Sequence, residues 1–311
     1  MRKPISLIVL ILAFVASTSW AETAEDLYQK GYEAYEVKNY DEAIKLYKRA
    51  ISINSKREAY HSFGLGIFYY EKGMIDEAIV EYKKAIAMNP DKKTHYNIAM
   101  AYYDKGMLDK AIDEYKKAIA IDPNYLDAYN SLAVIFSKKG MLDKAITEYQ
   151  RAIAINPNFT EVHYNLGVIY DRKRMLNEAI SEYKKVISIN TNHVDAHNNL
   201  GLAYFEKGML DEAITKFKKT IIIDPYHVEA HNNLGLVYYN KDMLDDAIDE
   251  YMKALVIDPE FVKTYYNLGL VYGKKGSYAL SIKHFYRAGL LYLKKGDGSS
   301  SFIYRAKAKE R

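Results

Sequence analysis

One octapeptide recurs along the chain at an almost constant spacing. The segment KGMLDKAI occupies residues 105–112 and again residues 139–146. Variants of it begin at Lys72, Lys173, Lys207, Lys241 and Lys275. Successive copies are 33 residues apart once and then 34 residues apart five times. A period of this length is typical of stacked supersecondary units, each of which buries its apolar face only against its neighbours.

The recurrence divides residues 22–295 into eight tandem units. They span residues 24–58, 59–91, 92–125, 126–159, 160–193, 194–227, 228–261 and 262–295. Within a unit, apolar or small residues at positions 4, 7, 8 and 11 mark one face of a helix. A turn follows at position 15, which is usually glycine, and a second helix begins with acidic residues and ends before a proline at position 32. Each unit is therefore predicted to be a pair of helices.

Small residues stand where the two helices of a pair must cross. Position 8 is glycine or alanine in every unit, and position 20 is alanine in seven units and serine in the eighth. This arrangement resembles the tetratricopeptide repeat, whose period is 34 residues. The resemblance implies an all-α fold, a right-handed superhelical α-solenoid of eight helix pairs. It also implies a concave groove, lined by the first helices, that binds a protein or peptide partner.

A row of asparagines is the first candidate for a binding site in that groove. Position 6 lies opposite the packed face of the first helix, and it holds Asn97, Asn165, Asn199, Asn233 and Asn267. An amide side chain offers both a donor and an acceptor to the backbone of an extended peptide. The row is similar to the one in the repeat arm of O-linked N-acetylglucosamine transferase, where such asparagines hold protein substrates. The alternatives are a solvated polar position, or asparagines that bond to a neighbouring repeat.

An apolar and aromatic strip is expected beside this row. Position 9 is uncharged in all eight units. Position 12 adds the candidate residues Tyr35, Tyr70, Tyr103, Phe205 and Tyr239. Position 5 adds Tyr28, Phe63, Tyr96, Tyr164 and Tyr266. A polar row beside an apolar strip favours a protein-binding surface, and the alternative is that neighbouring repeats bury these side chains.

Composition and motifs predict no chemistry. The chain has no cysteine, which excludes thiolate catalysis and cysteine-based metal sites, and its net charge of +4 does not favour a nucleic-acid partner. No nucleophile, dinucleotide or phosphate-binding motif is present, so the chain is not expected to be an enzyme or to hold a cofactor. Paired histidines (His193 with His197, His227 with His231) and a file of methionines at position 16 are interpreted as packing residues rather than metal ligands.

Both ends depart from the repeat. Residues 1–21 combine Arg2 and Lys3 with a short apolar run and small residues before Ala21, which predicts a cleaved signal peptide. The protein is then expected to be periplasmic or secreted in a bacterium. Alternatively, an uncleaved segment would anchor the protein in the inner membrane, and this segment would be its only contact with a membrane.

Residues 296–311 are predicted to be a linker and a basic capping helix. The alternative is a dimer or partner surface formed by the C-terminal unit.

These observations favour a protein-interaction scaffold that binds an extended polypeptide in its groove. Two alternatives stay open. One is an accessory subunit of a cell-envelope machine for polysaccharide export or outer-membrane assembly. The other is a substrate-presenting arm for a separate glycosyltransferase.

Overall fold

Every regular element that the computed structural model describes is an α-helix. The described residues are 23–54, 58–294 and 296. They form sixteen helices: α1 Ala24–Glu36, α2 Tyr40–Ile53, α3 Glu58–Glu71, α4 Ile75–Met88, α5 Lys92–Asp104, α6 Leu108–Ile121, α7 Leu126–Lys138, α8 Leu142–Ile155, α9 Thr160–Arg172, α10 Leu176–Ile189, α11 Val194–Glu206, α12 Leu210–Ile223, α13 Val228–Asn240, α14 Leu244–Ile257, α15 Val262–Lys274 and α16 Tyr278–Lys294. The expected all-α solenoid of helix pairs is confirmed. The predicted signal peptide and, beyond Gly296, the predicted capping helix lie outside the described residues.

The turn inside each pair depends on one residue with a positive φ. Five glycines at position 15 adopt it, and the other three units reach the same conformation with Lys38, Arg174 and Asp242, at φ 60°, 60° and 63°. The left-handed region is open to glycine and costs other residues free energy. Glycine is therefore the common residue of this turn, and three units pay a local conformational cost to keep its geometry.

Small residues at position 8 let the two helices of a pair approach closely. An added Cβ at Gly201 would lie 2.8 Å from the Phe217 ring, and one at Gly235 would lie 2.7 Å from the Tyr251 ring. Both rings are fully buried. The ring at position 24 thus fills the space that the missing side chain leaves, and this contact recurs in the six pairs that have glycine at position 8.

A polar contact at the start of each second helix recurs between consecutive units. A lysine at position 14 contacts the acidic or amide residue near the start of the preceding second helix. The pairs are Lys72–Asp41, Lys105–Asp76, Lys139–Asp109, Lys173–Asp143, Lys207–Asn177, Lys241–Asp211 and Lys275–Asp245. The acidic partners are exposed, so each ion pair adds little stability. The acidic residues expected to complement the helix dipole therefore also contact the next unit.

The chain divides into two compact parts, one up to Lys139 and one from Gly140 onward. In each part every helix packs against its neighbours in sequence. First helices also contact first helices, α3 with α5 in the N-terminal part and α11, α13 and α15 in order in the C-terminal part. In each part separately, we call the surface made by the outward positions of the first helices the first-helix face, and the outward surface of the second helices the second-helix face. None of the described helices is long and apolar enough to span a membrane.

Candidate functional site

The asparagine row lies half-buried on the first-helix face, and three of its members also join consecutive units. The Nδ2 of Asn199 donates to the Tyr164 hydroxyl at 3.2 Å. The Nδ2 of Asn233 donates to Asn198 Oδ1 at 3.3 Å, and that of Asn267 donates to Asn232 Oδ1 at 3.0 Å. Each acceptor stands at position 5 of the preceding unit. The alternative in which the asparagines bond to a neighbouring repeat therefore holds for these three side chains. Asn97 and Asn165 are half-buried on α5 and α9.

Asn232 is the centre of the most connected part of this row. It is 5% exposed, and its Oδ1 also accepts a hydrogen bond from Thr264 Oγ1 at 3.0 Å. Its Nδ2 lies 3.5 Å from Asn233 Oδ1 within the same unit. The N-terminal part has a similar joint, where the Tyr96 hydroxyl meets Ser131 Oγ at 3.3 Å. An amide has two N–H donors and a carbonyl with two lone pairs, so a cross-unit bond orients it and leaves capacity for a ligand.

The aromatic residues at position 12 are half-buried as well, and several are held by position 13 of the next unit. The Tyr70 hydroxyl donates to Asp104 Oδ2. Burial and this hydrogen bond raise the pKa of Tyr70, so its hydroxyl stays a donor. The helical wheel placed position 13 on the outer face, but none of its residues was a candidate, although a polar or charged residue stands there in all eight units.

Two further tyrosines of the strip contact a lysine, rather than a carboxylate, at position 13 of the next unit. Lys138 Nζ lies 4.8 Å from the centre of the Tyr103 ring, and Lys274 Nζ lies 5.1 Å from that of the Tyr239 ring. Such contacts hold a ring in place.

Other members of the strip pack differently. The Tyr35 ring stacks on Phe68 with centroids 5.0 Å apart, and Phe205 is half-buried on α11. In the fifth unit position 12 is Asp171, whose Oδ2 accepts the Tyr183 hydroxyl at 2.6 Å. Burial raises the pKa of Asp171. At position 9 the side chains are half-buried except that of Tyr32, which is 50% exposed. Neighbouring units thus cover the strip in part.

The expectation that position 5 adds rings to the binding surface is wrong for Tyr28, which is buried, and holds only in part for the others. Their rings pack against the aromatic residue at position 24 of their own unit. The ring pairs are Tyr28–Tyr47, Phe63–Tyr82, Tyr96–Tyr115, Tyr164–Tyr183 and Tyr266–Phe285, with centroids 5.2 Å to 6.1 Å apart. Position 5 adjoins the packed residue at position 8, so a long side chain there reaches the second helix.

The histidines have structural partners. At position 4, His95 Nδ1 lies 2.6 Å from Glu114 Oε2, and His231 Nδ1 lies 2.6 Å from Glu250 Oε2. His193 and His227 cap helices, since their Nδ1 atoms accept backbone N–H groups at 3.2 Å and 3.1 Å. No group of three or more metal-ligating side chains occurs in the described ranges.

The histidine at position 4 of the sixth unit, His197, lacks the glutamate partner that His95 and His231 have. The Nε2 of His197 bonds the Thr191 carbonyl oxygen at 3.0 Å, and the residue at position 23 is Lys216 rather than glutamate. Burial lowers the pKa of His197, and the nearby lysines lower it further.

Comparisons with known proteins agree with this architecture. A family model described as "Tetratricopeptide repeat" matches residues 24–57. A second, described as "TPR repeat", matches residues 66–106, 99–140, 135–173, 175–208, 201–242 and 243–276. No curated protein matches the chain.

Many solved structures are similar to the chain. YrrB, described as a TPR protein with an unusual peptide-binding site, is 25% identical, with a TM-score of 0.54 over 62% of this chain and 97% of YrrB. MamA is 34% identical, with a TM-score of 0.50 over 52% of this chain and 95% of MamA. The C-terminal part of a TPR protein from Cytophaga hutchinsonii shares the fold, with 20% identity and a TM-score of 0.67 over 78% of this chain and 99% of that one.

Proposed function

The chain belongs to the tetratricopeptide repeat family, and we propose that it is a protein-interaction scaffold that binds an extended polypeptide on its first-helix face. Proteins of this family generally bind other proteins or peptides. One observation carries the proposal for this chain. A row of amides, oriented by bonds between units, runs beside positions that carry no charge in any of the eight units.

The two rows have complementary roles in the proposal. Asn165, Asn199 and Asn233 would pair with backbone N–H and C=O groups, which are the same in every peptide. The half-buried residues at position 9 and the rings at position 12 would receive apolar side chains of the ligand. Because cross-unit bonds fix the amides of Asn199 and Asn233 before binding, less conformational entropy is lost when the peptide binds. The similarity to YrrB, which is described as having a peptide-binding site, supports this mode.

The proposed setting is outside the cytoplasm. Residues 1–21 have the charged start, the apolar run and the small residues of a secretory signal, and they are the only basis for this part of the proposal. Export of a fusion between these residues and a reporter enzyme that is active only outside the cytoplasm tests it. A reporter that stays inactive contradicts it.

A binding measurement tests the central part of the proposal. We would change Asn165, Asn199 and Asn233 together to alanine and measure binding of a labelled, permanently unfolded polypeptide, reduced and carboxymethylated α-lactalbumin. The expected result is at least a tenfold loss of affinity, since several backbone contacts disappear together. Unchanged affinity would contradict the proposal.

The control changes three exposed second-helix residues, Lys83, Lys184 and Lys218, to alanine, and circular dichroism establishes that both variants fold. Equal losses in the two variants would indicate non-specific binding and would also contradict the proposal.

A further inference from the structure

The second-helix face changes character in the last units. Position 29 is small in the first five units, where it holds Ser52, Ala87, Ala120, Ala154 and Ser188. In the last three units it holds Ile222, Val256 and Leu290. Position 25 is lysine or glutamine in the first six units and becomes Met252 and Tyr286 in the last two. A scaffold position of a repeat array keeps its residue type, so this departure requires a separate explanation.

In earlier units the lysine at position 25 contacts a tyrosine ring of the next unit. Lys184 Nζ lies 5.7 Å from the centre of the Tyr204 ring of the next unit, and Lys218 Nζ lies 5.9 Å from that of Tyr238. The lysine therefore covers a tyrosine of its neighbour. Met252 and Tyr286 carry no cation and cannot form this contact, and both line one open cavity instead.

Four residues at positions 25 and 29 of the last two units form, together with Tyr226 from the turn after α12, an apolar surface in which only Leu290 is half-buried and the others are exposed. We call Tyr226, Met252, Val256, Tyr286 and Leu290 the C-terminal apolar patch. Val256 is 80% exposed and Tyr226 is 77% exposed. A cavity of about 460 Å³ is lined by Met252, Val256, Tyr286 and Leu290. A second cavity of about 420 Å³ is lined by Tyr226 and shares Met252 and Val256 with the first, so the patch is continuous. Contiguous exposed apolar surface of this kind marks an interaction site.

The spacing of the patch residues suits a helical ligand. Met252 and Val256 stand four residues apart on α14, and Tyr286 and Leu290 stand four residues apart on α16. Each pair is an i, i+4 ridge of its helix, and the furrow between two such ridges accepts the apolar stripe of a third helix.

The charges around the patch favour some occupants over others. Lys283 and Arg287 line the larger cavity, and neither forms an ion pair with a carboxylate of the described residues, although the Arg287 guanidinium lies 5.9 Å from the centre of the Tyr265 ring. In the smaller cavity Lys253 is paired with Glu250 at 2.7 Å, and Asp249 is the one acidic lining residue. Two cations without a carboxylate partner favour a ligand with carboxylates beside its apolar stripe.

The same charges disfavour the two occupants that this chain could itself supply. A second copy facing the patch in a symmetric dimer would bring its own Lys283 and Arg287 close to these cations. Residues 297–311 hold four basic residues (Arg305, Lys307, Lys309 and Arg311) and two acidic ones (Asp297 and Glu310), and so carry a net positive charge.

We propose that the C-terminal apolar patch docks an amphipathic helix of a partner protein, with acidic residues flanking the apolar stripe of that helix. Four of the patch residues lie on second helices and Tyr226 lies in the turn after α12, so the inference does not depend on the proposed peptide binding on the first-helix face. The chain would then hold an extended polypeptide on one face and a helical partner on the other.

A matched pair of peptides tests the inference on the purified protein. The first is a labelled amphipathic helix with a leucine stripe flanked by glutamates, and its twin has lysine in place of every glutamate. We expect the glutamate peptide to bind at least tenfold more tightly than the lysine peptide. The variant M252K/V256A gives the seventh unit the residues that the third unit has in Lys116 and Ala120, so it is expected to fold. It should weaken binding of the glutamate peptide at least tenfold although it adds a positive charge.

Two further variants keep the test decisive. The control K184A/S188A changes the same two positions in the fifth unit and should leave peptide binding unchanged. Y286K changes the eighth unit alone and should also weaken binding, which gives an independent result if the double variant folds poorly.

Several results would overturn the inference. They are equal binding of the two peptides, absence of binding at about 100 µM, and parental affinity in M252K/V256A and Y286K. A dimer of the parent protein that M252K/V256A abolishes would identify a second copy as the occupant. A tenfold gain in affinity for the glutamate peptide on removal of residues 297–311 would identify that segment instead.

Discussion

The two faces of the C-terminal part differ in how their side chains are held: contacts between units fix those of the first-helix face, whereas several on the second-helix face are exposed. On the first-helix face, Asn199, Asn233 and Asn267 are bonded to the preceding unit, and the Tyr239 ring lies under Lys274. On the second-helix face, Ile222 and Val256 are largely exposed and stand where the first five units have small residues. Residues that repeat with the period mainly form the contacts between units. Residues that occur in only a few units are instead expected to contact a partner outside the array.

The contrast changes how each surface can act. The first-helix face is pre-ordered, so a ligand meets groups that are already oriented. The C-terminal apolar patch contributes little to the fold, so its residues can be exchanged with small effect on stability. Four predictions test this difference, in order of decreasing effect.

The largest effect is expected where the first-helix face is most connected. Changing Asn232 to alanine removes the acceptor of Thr264 and Asn267 and leaves the buried Thr264 hydroxyl without its partner. We expect the free energy of unfolding to fall by about 1–3 kcal/mol, measured by urea denaturation. Asn240 is exposed on the same helix, and its change to alanine is the control, with an effect within about 0.5 kcal/mol. Equal effects at the two sites would show that the cross-unit bonds do not stabilise the array.

A smaller effect is expected on ligand binding by the aromatic strip. Changing Tyr239 to alanine removes the ring under Lys274, and affinity for the unfolded polypeptide should fall about fivefold, or about 1 kcal/mol. Changing the same residue to phenylalanine keeps the ring and should preserve affinity. Equal losses in the two variants would assign the contact to the hydroxyl and not to the apolar strip.

The third effect is on the pH dependence of stability and concerns position 23, which is Lys216 in the sixth unit and Glu250 in the seventh. Burial opposes ionisation of Glu250, but hydrogen bonds from His231 and Lys253 hold the pKa of that carboxyl below its usual value. The counterpart of Glu250 in the sixth unit is Lys216, and the pKa of His197 is lowered by burial and by that lysine. The unfolded chain therefore binds a proton at His197 more readily, so stability falls as the pH drops through about 6.5.

Changing Lys216 to glutamate should give His197 the partner that His231 has. The pKa of His197 should rise, by NMR titration of its ring proton, and the loss of stability between about pH 7.5 and 5.5 should shrink by about 0.5–1 kcal/mol. The conservative K216Q variant removes the positive charge without adding a carboxylate and should give a smaller rise. A pKa that does not move in K216E would contradict the assigned cause.

The smallest effect is expected on the second-helix face. The variant M252K/V256A should change the free energy of unfolding by no more than about 0.5 kcal/mol, because both side chains are exposed. Urea denaturation of this variant and of N232A under the same conditions compares their free energies of unfolding directly. A loss as large as that of N232A would show that the patch is part of the scaffold, contrary to the contrast between the two faces.

The fold followed from the sequence because its main determinants are local and periodic. The apolar face of each helix, the turn at position 15 and the proline at position 32 all act within one unit. The helical wheel also placed the asparagine row on the first-helix face. It could not show that Asn233 bonds Asn198, because that contact depends on how one unit stacks on the next.

The sequence was less informative where a side chain adjoins the packed face or departs from the period. The wheel assigned Tyr28 to the outer surface, but its ring is long enough to reach Tyr47 on the second helix. The C-terminal apolar patch was missed for a different reason. The second helices were interpreted only through the features that they share, whereas Met252 departs from the lysine or glutamine of position 25 and Val256 departs from the small residues of position 29.

Site-specific photo-crosslinking tests the central claim, peptide binding on the first-helix face, most directly. A photoreactive residue would replace exposed Asn240 on α13 or exposed Lys184 on α10, and the labelled unfolded polypeptide would be irradiated with each protein. Crosslinks from position 240 that disappear in the N165A/N199A/N233A background, with none from position 184, are the predicted result. Crosslinks of equal yield from both positions, or crosslinks from position 240 that survive the triple change, would contradict the claim.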